Sequence, residues 1–219
     1  MLLTCWSVKG GVGTTVVAAA LATTLARIHA ADGGALVADL AGDMPVALGL
    51  PDPRDPGLTG WTAAGDDVAG DALARLELSV GPGLALLPRG RGRPGPAERH
   101  RVLARVLGAD PRPVVVDAGV VTAESPVLPL VAEATRSLLV TRACYLGLRR
   151  ALEAPVRPSG VVLVTEPGRS MGAADVESIV GAPVVAEVPI DPTVARAVDS
   201  GLLSTRLPRA LERPLRRAA

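Results

Sequence analysis

Residues 2–15 read Leu2-Leu3-Thr4-Cys5-Trp6-Ser7-Val8-Lys9-Gly10-Gly11-Val12-Gly13-Thr14-Thr15. An apolar run, a glycine-rich turn and a long Ala/Val/Leu stretch follow one another without a break. Strand, loop, helix is the order that a phosphate-binding loop requires. Leu2 to Val8 suits a buried parallel strand, and Thr14 to Ala30 reads as a helix opened by Thr. Lys9 is the only lysine in the chain; the other 22 of its 23 basic side chains are Arg, and Phe, Asn and Gln are missing altogether. That bias fits a GC-rich coding background, which turns Lys into Arg wherever a generic positive charge suffices. Lys is a slim point charge that lies along a phosphate, whereas Arg carries a wide planar fork. A single Lys kept in this loop marks a site that uses that shape.

Composition bounds the rest. A length of 219 residues fits one α/β domain, or one domain with a short tail. Hydrophobic content of 48% allows a sizeable core, and 1% aromatics means a core of Val, Leu and Ala. A net charge of +1 offers no global field for nucleic acid. Cys5 and Cys144 make no disulfide framework, and Cys5 reads as a small core residue. Met1-Leu2-Leu3 lacks the basic region and cleavage site of a signal peptide, and no run matches a spanning helix, so a cytoplasmic protein is expected. His29 and His100 lie at no metal-ligand spacing, and there is no G-x-S-x-G, so neither a zinc site nor a serine hydrolase is indicated.

Strand and helix patterns alternate along the chain. Ala35–Asp39, Leu84–Leu87, Pro113–Asp117, Ser137–Thr141, Val161–Thr165 and Val184–Val188 read as further strands. Helices are expected at 66–76, Ala97–Leu107, Tyr145–Ala154 and Ala173–Val180. Pro51–Gly57 and Pro88–Pro96 read as loops. This pattern predicts an α/β fold, a mainly parallel doubly wound sheet flanked by helices, over residues 1–202, followed by a basic tail at 203–219. Ligands of such sheets sit at the carboxyl ends of the strands, where Gly10–Gly13, Asp39 and Asp117 are all expected.

An ordinary phosphate loop ends in G-K-[ST]: backbone N–H groups wrap the phosphates, Lys neutralises them and the hydroxyl binds magnesium. Here Gly13-Thr14-Thr15 holds that place. Gly10, Gly11, Val12 and Gly13 supply the close backbone approach, and the following helix adds its dipole. Thr15 is in register for Mg²⁺, but Thr14 stands where the Lys should be, and Lys9 stands at the opposite end of the loop.

In this respect the chain resembles the MinD/ParA family of deviant Walker A ATPases, whose loop reads K-G-G-x-G-K-[ST]. The altered loop resembles most the CpaE/TadZ-like branch, associated with Tad-type pili. The resemblance implies a dimer closed around two ATP molecules, with Lys9 as the signature Lys that reaches the partner's phosphates. Leu36-Val37-Ala38-Asp39-Leu40-Ala41-Gly42-Asp43 resembles the family's second strand and switch I. Asp39 matches the first Asp, Ala41 replaces the second, and Asp43 is a substitute in a different register. Val114-Val115-Val116-Asp117-Ala118-Gly119 resembles the Walker B strand, which places Asp117 near the metal with Thr15 and Asp39. Thr165 ends the strand that usually carries an adenine-reading Asn. Pro189 and Asp191 fall in the late segment that flanks adenine. ATP and Mg²⁺ are therefore the implied ligands, with Lys9, Asp39 and Asp43 as the catalytic candidates. A neutral Thr14 and the missing carboxylate at Ala41 imply weak or absent hydrolysis.

Two basic stretches leave alternatives open. Arg89, Arg91, Arg93, Arg99, Arg101 and Arg105 make either a non-specific DNA surface, as in a ParA-like partitioning ATPase, or a solvated loop and helix face, the reading that near-neutral charge favours. Leu207, Leu211 and Leu215 with five flanking arginines make either a peripheral membrane helix or a tail that frays or docks on the domain. Pro214 is expected to break that stripe, which favours the latter. The implied roles are a polar localisation or assembly factor with a pilus or secretion ATPase as partner, DNA partitioning, or a nucleotide-independent scaffold.

Overall fold

The computed structural model describes residues 1–65 and 71–219. Among them, eight strands form one sheet: β1 (Leu2–Ser7), β2 (Ala35–Asp39), β3 (Leu78–Gly81), β4 (Leu84–Leu87), β5 (Val114–Val120), β6 (Arg136–Arg142), β7 (Gly160–Thr165) and β8 (Val184–Pro189). Their order is β3-β4-β2-β5-β1-β6-β7-β8. Only the β3–β4 hairpin is antiparallel. β1 lies between β5 and β6, so the chain crosses to one side after β1 and returns past it after β5. The carboxyl end of β1 therefore lies at the crevice where the winding reverses.

Side chains alternate across the pleat. Leu3 and Cys5 of β1 join one core with Val37, Val115 and Val140, while Leu2 and Trp6 point to the opposite face. The first face is covered by α1 (Thr14–Ile28). Ten consecutive residues of α1, Val17 to Ala26, are buried, because further elements cover the side of it that faces away from the sheet. A helix apolar on all sides is stable only when packed on all sides. Thr23 and Thr24 enter this core by returning their hydroxyl protons to the Ala19 and Ala20 carbonyls, 2.8 Å each. The opposite face carries α3 (Gly57–Ala63), α4 (Ala97–Gly108) and α5 (Leu128–Glu133) at one end, and α6 (Tyr145–Leu152) with α7 (Ala173–Val180) at the other. The fold is the expected doubly wound α/β sheet.

The structure adds elements beyond those expected. These are α2 (Met44–Ala47), α8 (Pro192–Asp199) and α9 (Arg209–Leu215), besides α3, α5 and β3. α8 begins where a Pro fills the first helical position behind the Asp191 cap, which spares the missing N–H. β5 runs to Val120 rather than stopping at Asp117, because Val121 N–H bonds the Ser7 carbonyl at 2.9 Å and keeps it beside β1. Of the helix expected at 66–76, residues 66–70 lie outside the described residues, and the remainder ends in a single 3₁₀ turn at Ala74–Leu76.

Residues after 202 pack on the same core. Leu203, Leu207, Leu211, Leu215 and Ala218 are buried in the cluster that contains α1, and Arg27 of α1 pairs with Glu212 at 3.2 Å. Pro214 does not break the leucine stripe: it lies inside α9, and Leu211 and Leu215 on either side of it stay buried. A Pro removes one ladder bond from a two-turn helix, and burial of both leucines offsets that loss. The apolar stripe thus faces the domain. Among the described residues no helix is long and apolar enough to cross a membrane. Leu215→Ala is expected to cost about 2–5 kcal/mol in urea denaturation; a loss under about 1 kcal/mol would mean that α9 contributes little to the core.

Candidate nucleotide site

β1 delivers the chain to a loop that only glycine can close. Gly11 (φ 74°) and Gly13 (φ 94°) are left-handed, and Gly13 is the N-cap residue of α1. A side chain at either position would strain the backbone. No side chain caps α1, and its first turn carries no acidic residue. Its first N–H groups and the positive end of its dipole are thus left for another anion. They open onto a cavity of about 650 Å³ lined by Gly10, Gly11, Gly13, Thr14 and Thr15, by Ala41 and Asp43 after β2, and by Ala118 and Gly119 of β5.

Asp39 and Asp117 stand side by side at the ends of β2 and β5, where their backbones pair in register. Both are fully buried. Asp39 is engaged with its own loop: Oδ1 accepts from Ala41 N (3.0 Å) and Gly42 N (2.7 Å), and Oδ2 from Met44 N (3.3 Å). Burial pushes its pKa up to about 6 despite those three bonds, and the Asp43 charge adds to the rise. Asp117 Oδ1 accepts from Gly119 N at 3.1 Å. Burial pushes its pKa up to about 7; the Thr15 side chain opposes the rise, and the Asp39 and Asp43 charges reinforce it. Asp117 Oδ2 is buried without a hydrogen-bond partner among the described residues.

An unpaired buried carboxylate oxygen close to a Thr hydroxyl fits a hard cation. Mg²⁺ takes one or two protein oxygens and fills the rest of its octahedron with water and phosphate oxygens. No three His, Cys, Asp or Glu side chains converge into a metal cage among the described residues. Thr15 and Asp117 are therefore the pair that suits the ion, while Asp39 has its oxygens committed to backbone N–H groups and shapes the 40–44 turn.

The other sequence candidates divide. Gly10, Gly11, Gly13, Thr14, Thr15 and Asp43 line the cavity. Val12 points its side chain into the core, so only its backbone is available there. Lys9 is half-buried beside the cavity and has no hydrogen-bond or ion-pair partner among the described residues. Thr165, Pro189 and Asp191 are not brought to the cavity. Thr165 ends β7 and its carbonyl accepts from Ile190 N at 2.9 Å, Pro189 is exposed, and Asp191 caps α8 by accepting from Thr193 N at 2.6 Å. Asp191 faces a separate cavity of about 690 Å³ along α8 and α9. β7 and β8 lie on the far side of β6 from the loop, which keeps these ends away from it.

Two arginines belong to the site although their role was not read from the sequence. Arg89 lines the cavity, and Arg142 donates from Nη2 to the Gly11 carbonyl at 2.9 Å. Arg142 is the last residue of β6, and Arg89 lies two residues past the end of β4. Position at a strand's carboxyl end is the signal that could have found both. The remaining arginines of the 89–105 stretch scatter: Arg91 lies 3.7 Å from Asp52, Arg99 stacks on Trp61, and Arg101 bonds Glu133.

The buried Asp117 makes a testable demand. The folded protein holds its proton up to about pH 7, whereas an unfolded Asp loses it near pH 4. The stability from this group is fully present below about pH 4 and is lost as pH rises through 7. Asp117→Asn cannot ionise, so its melting temperature should exceed wild type by a margin that widens from about pH 5 to about pH 8. A margin flat with pH in thermal melts would refute the burial cost.

A family model described as cellulose biosynthesis protein BcsQ matches residues 1–109, just short of half the chain. No curated protein matches it. Among solved structures it is similar to a ParA family ATPase from Chlorobium tepidum TLS, at 19% identity and TM-score 0.77, covering 98% of this chain and 95% of that one. The MinC:MinD cell division protein complex of Aquifex aeolicus gives 17% identity and TM-score 0.79 over 99% of this chain and 93% of that one. The septum site-determining protein MinD of Pyrococcus horikoshii OT3, complexed with Mg-ADP, gives 18% identity and TM-score 0.73 with coverage of 99% and 93%. With its glycine loop, its α1 entry and its eight-stranded, mostly parallel sheet, this chain has the P-loop NTPase fold of MinD and ParA.

Proposed function

We propose that the protein is an ATP-binding switch that dimerises around its nucleotide and hydrolyses it slowly or not at all. The observation that carries this reading is the uncapped, acid-free N-terminus of α1 behind Gly13, whose Thr15 side chain lies beside the buried Asp117, a carboxylate with one oxygen unpaired among the described residues. An anion on one side and a cation on the other satisfy both. A nucleoside triphosphate with Mg²⁺ supplies that combination, and the Mg-ADP complex of the similar MinD is consistent with it. Bound Mg²⁺ would neutralise charge on the phosphates. Gly10–Gly13 and Thr14 bind the phosphates, Thr15 and Asp117 hold the ion, and Asp39 holds the 40–44 turn in place.

Slow turnover follows from what the cavity lacks. Thr14 puts a neutral hydroxyl where an ammonium is usual, and Ala41 puts a methyl where a carboxylate would orient water. Each lost electrostatic group costs about 10²–10³-fold in rate. Lys9, without a partner among the described residues, is the cation available to a second copy. The cellular role is that of a localisation or assembly factor for a secretion system. The altered loop supports a Tad-type pilus. The BcsQ match over 1–109 supports a second reading, a part in cellulose biosynthesis. A neighbouring gene for a pilus secretion ATPase or for a cellulose synthase would separate them.

Titration with ATP and Mg²⁺ should show saturable binding, with a dimer in light scattering only when ATP is present. Lys9→Ala should bind ATP, stay monomeric and melt at the wild-type temperature. Thr14→Lys should raise turnover by about 10²-fold. Absence of wild-type binding at millimolar ATP would end the proposal.

A further inference from the structure

We infer that Arg89 replaces in cis the phosphate-loop lysine that Thr14 lacks. This rests on the nucleotide reading above and names the group that neutralises the bound polyphosphate. Arg89 is the one cationic side chain lining the cavity among the described residues, in a site whose nearby carboxylates are Asp39, Asp43 and Asp117. A polyphosphate brings further negative charge into that environment, and a protein cation must meet it.

The guanidinium is placed and free. Its nearest acceptor is the Ala41 carbonyl at 3.5 Å, the outer limit of a hydrogen bond, and no carboxylate among the described residues pairs with it. It lies over the 40–44 turn, where a methyl added to Gly42 would come 3.2 Å from Nη1. The backbone beneath it is rigid. The Arg89 carbonyl accepts from Thr59 N at 2.9 Å and from Thr59 Oγ1 at 3.1 Å, and the Pro88 carbonyl accepts from Leu58 N at 2.9 Å. Gly57 makes this clasp possible, since a Cβ there would strike the Pro88 and Arg89 carbonyls. A long side chain on a pinned backbone, with its fork uncommitted, reaches a ligand with little reorganisation. A planar fork also suits two phosphate oxygens at once. The loop lost its lysine without losing the charge, which now enters from the end of β4.

The test measures Mg-ATP, Mg-ADP and AMP affinity for wild type, Arg89→Ala, Arg89→Lys, Arg91→Ala and the double variant Arg89→Ala/Thr14→Lys, with thermal melts of each. Arg89→Ala should bind ATP at least tenfold more weakly, bind AMP as wild type does, and melt at the wild-type temperature. Arg89→Lys should recover part of the affinity, and Thr14→Lys most of it in the Arg89→Ala background. Arg91→Ala should stay within twofold. If wild type binds ATP and Arg89→Ala binds it equally, or if ATP, ADP and AMP all weaken by the same factor, Arg89 does not contact the phosphates and this inference fails alone. If wild type binds no nucleotide, the reading of the site fails with it.

Discussion

Gly13 carries the chain out of β1 and into α1 through a left-handed turn, and the rest of the site depends on that turn. It sets the first N–H groups of a 15-residue helix at the carboxyl edge of a parallel sheet. No side chain caps them. A helix end left this way is costly unless water or a ligand covers it. The same edge receives the ends of β2 and β5, and with them Asp39 and Asp117. An open set of donors and a pair of buried carboxylates thus meet at one edge of the sheet, set there by the strand order.

The two carboxylates divide the work. Asp39 accepts three backbone N–H groups and shapes the turn beside the cavity. Asp117 keeps one oxygen unpaired and feels its neighbours' charge. Burying such a group costs stability. A buried carboxylate kept at such a cost beside a glycine loop marks a candidate functional position. The arginines complete the balance. Arg142 clasps the loop through Gly11, and Arg89 brings an uncommitted fork over the 40–44 turn. The glycine loop is thereby held from β6, while the 40–44 turn lies under a guanidinium from just past the end of β4.

Much of the fold was legible because its signals are local. Buried parallel strands read as short apolar runs, and the glycine loop between a strand and an Ala-rich helix has few other meanings. Elements of one or two turns were not legible, since four to seven residues carry too little periodicity: α2, α3, α5 and α9 are of this kind. Pro214 shows the limit well. Locally it argues against a helix, yet the cavity that Leu211 and Leu215 fill outweighs one missing bond. Among site residues, the loop and the two aspartates were read from their positions after strands. Arg89 and Arg142 follow strands too, but the abundance of Arg in this chain hid them among charges expected to face water. Thr165, Pro189 and Asp191 were placed at the site through resemblance, and the strands that carry them end elsewhere.

By itself the sequence determined the doubly wound sheet, the glycine loop with its lone lysine, and the carboxylates at strand ends. Each is encoded in contiguous residues whose hydrophobic period or backbone freedom allows few conformations. The tertiary structure alone decided which charges meet. Arg89 lies 74 positions beyond Thr15 in the chain, yet both line one cavity. Likewise Asp39 spends its oxygens on the turn, whereas Asp117 keeps one free. These outcomes depend on strand order and on competition among backbone donors for a buried carboxylate, and both exist only once the sheet has formed.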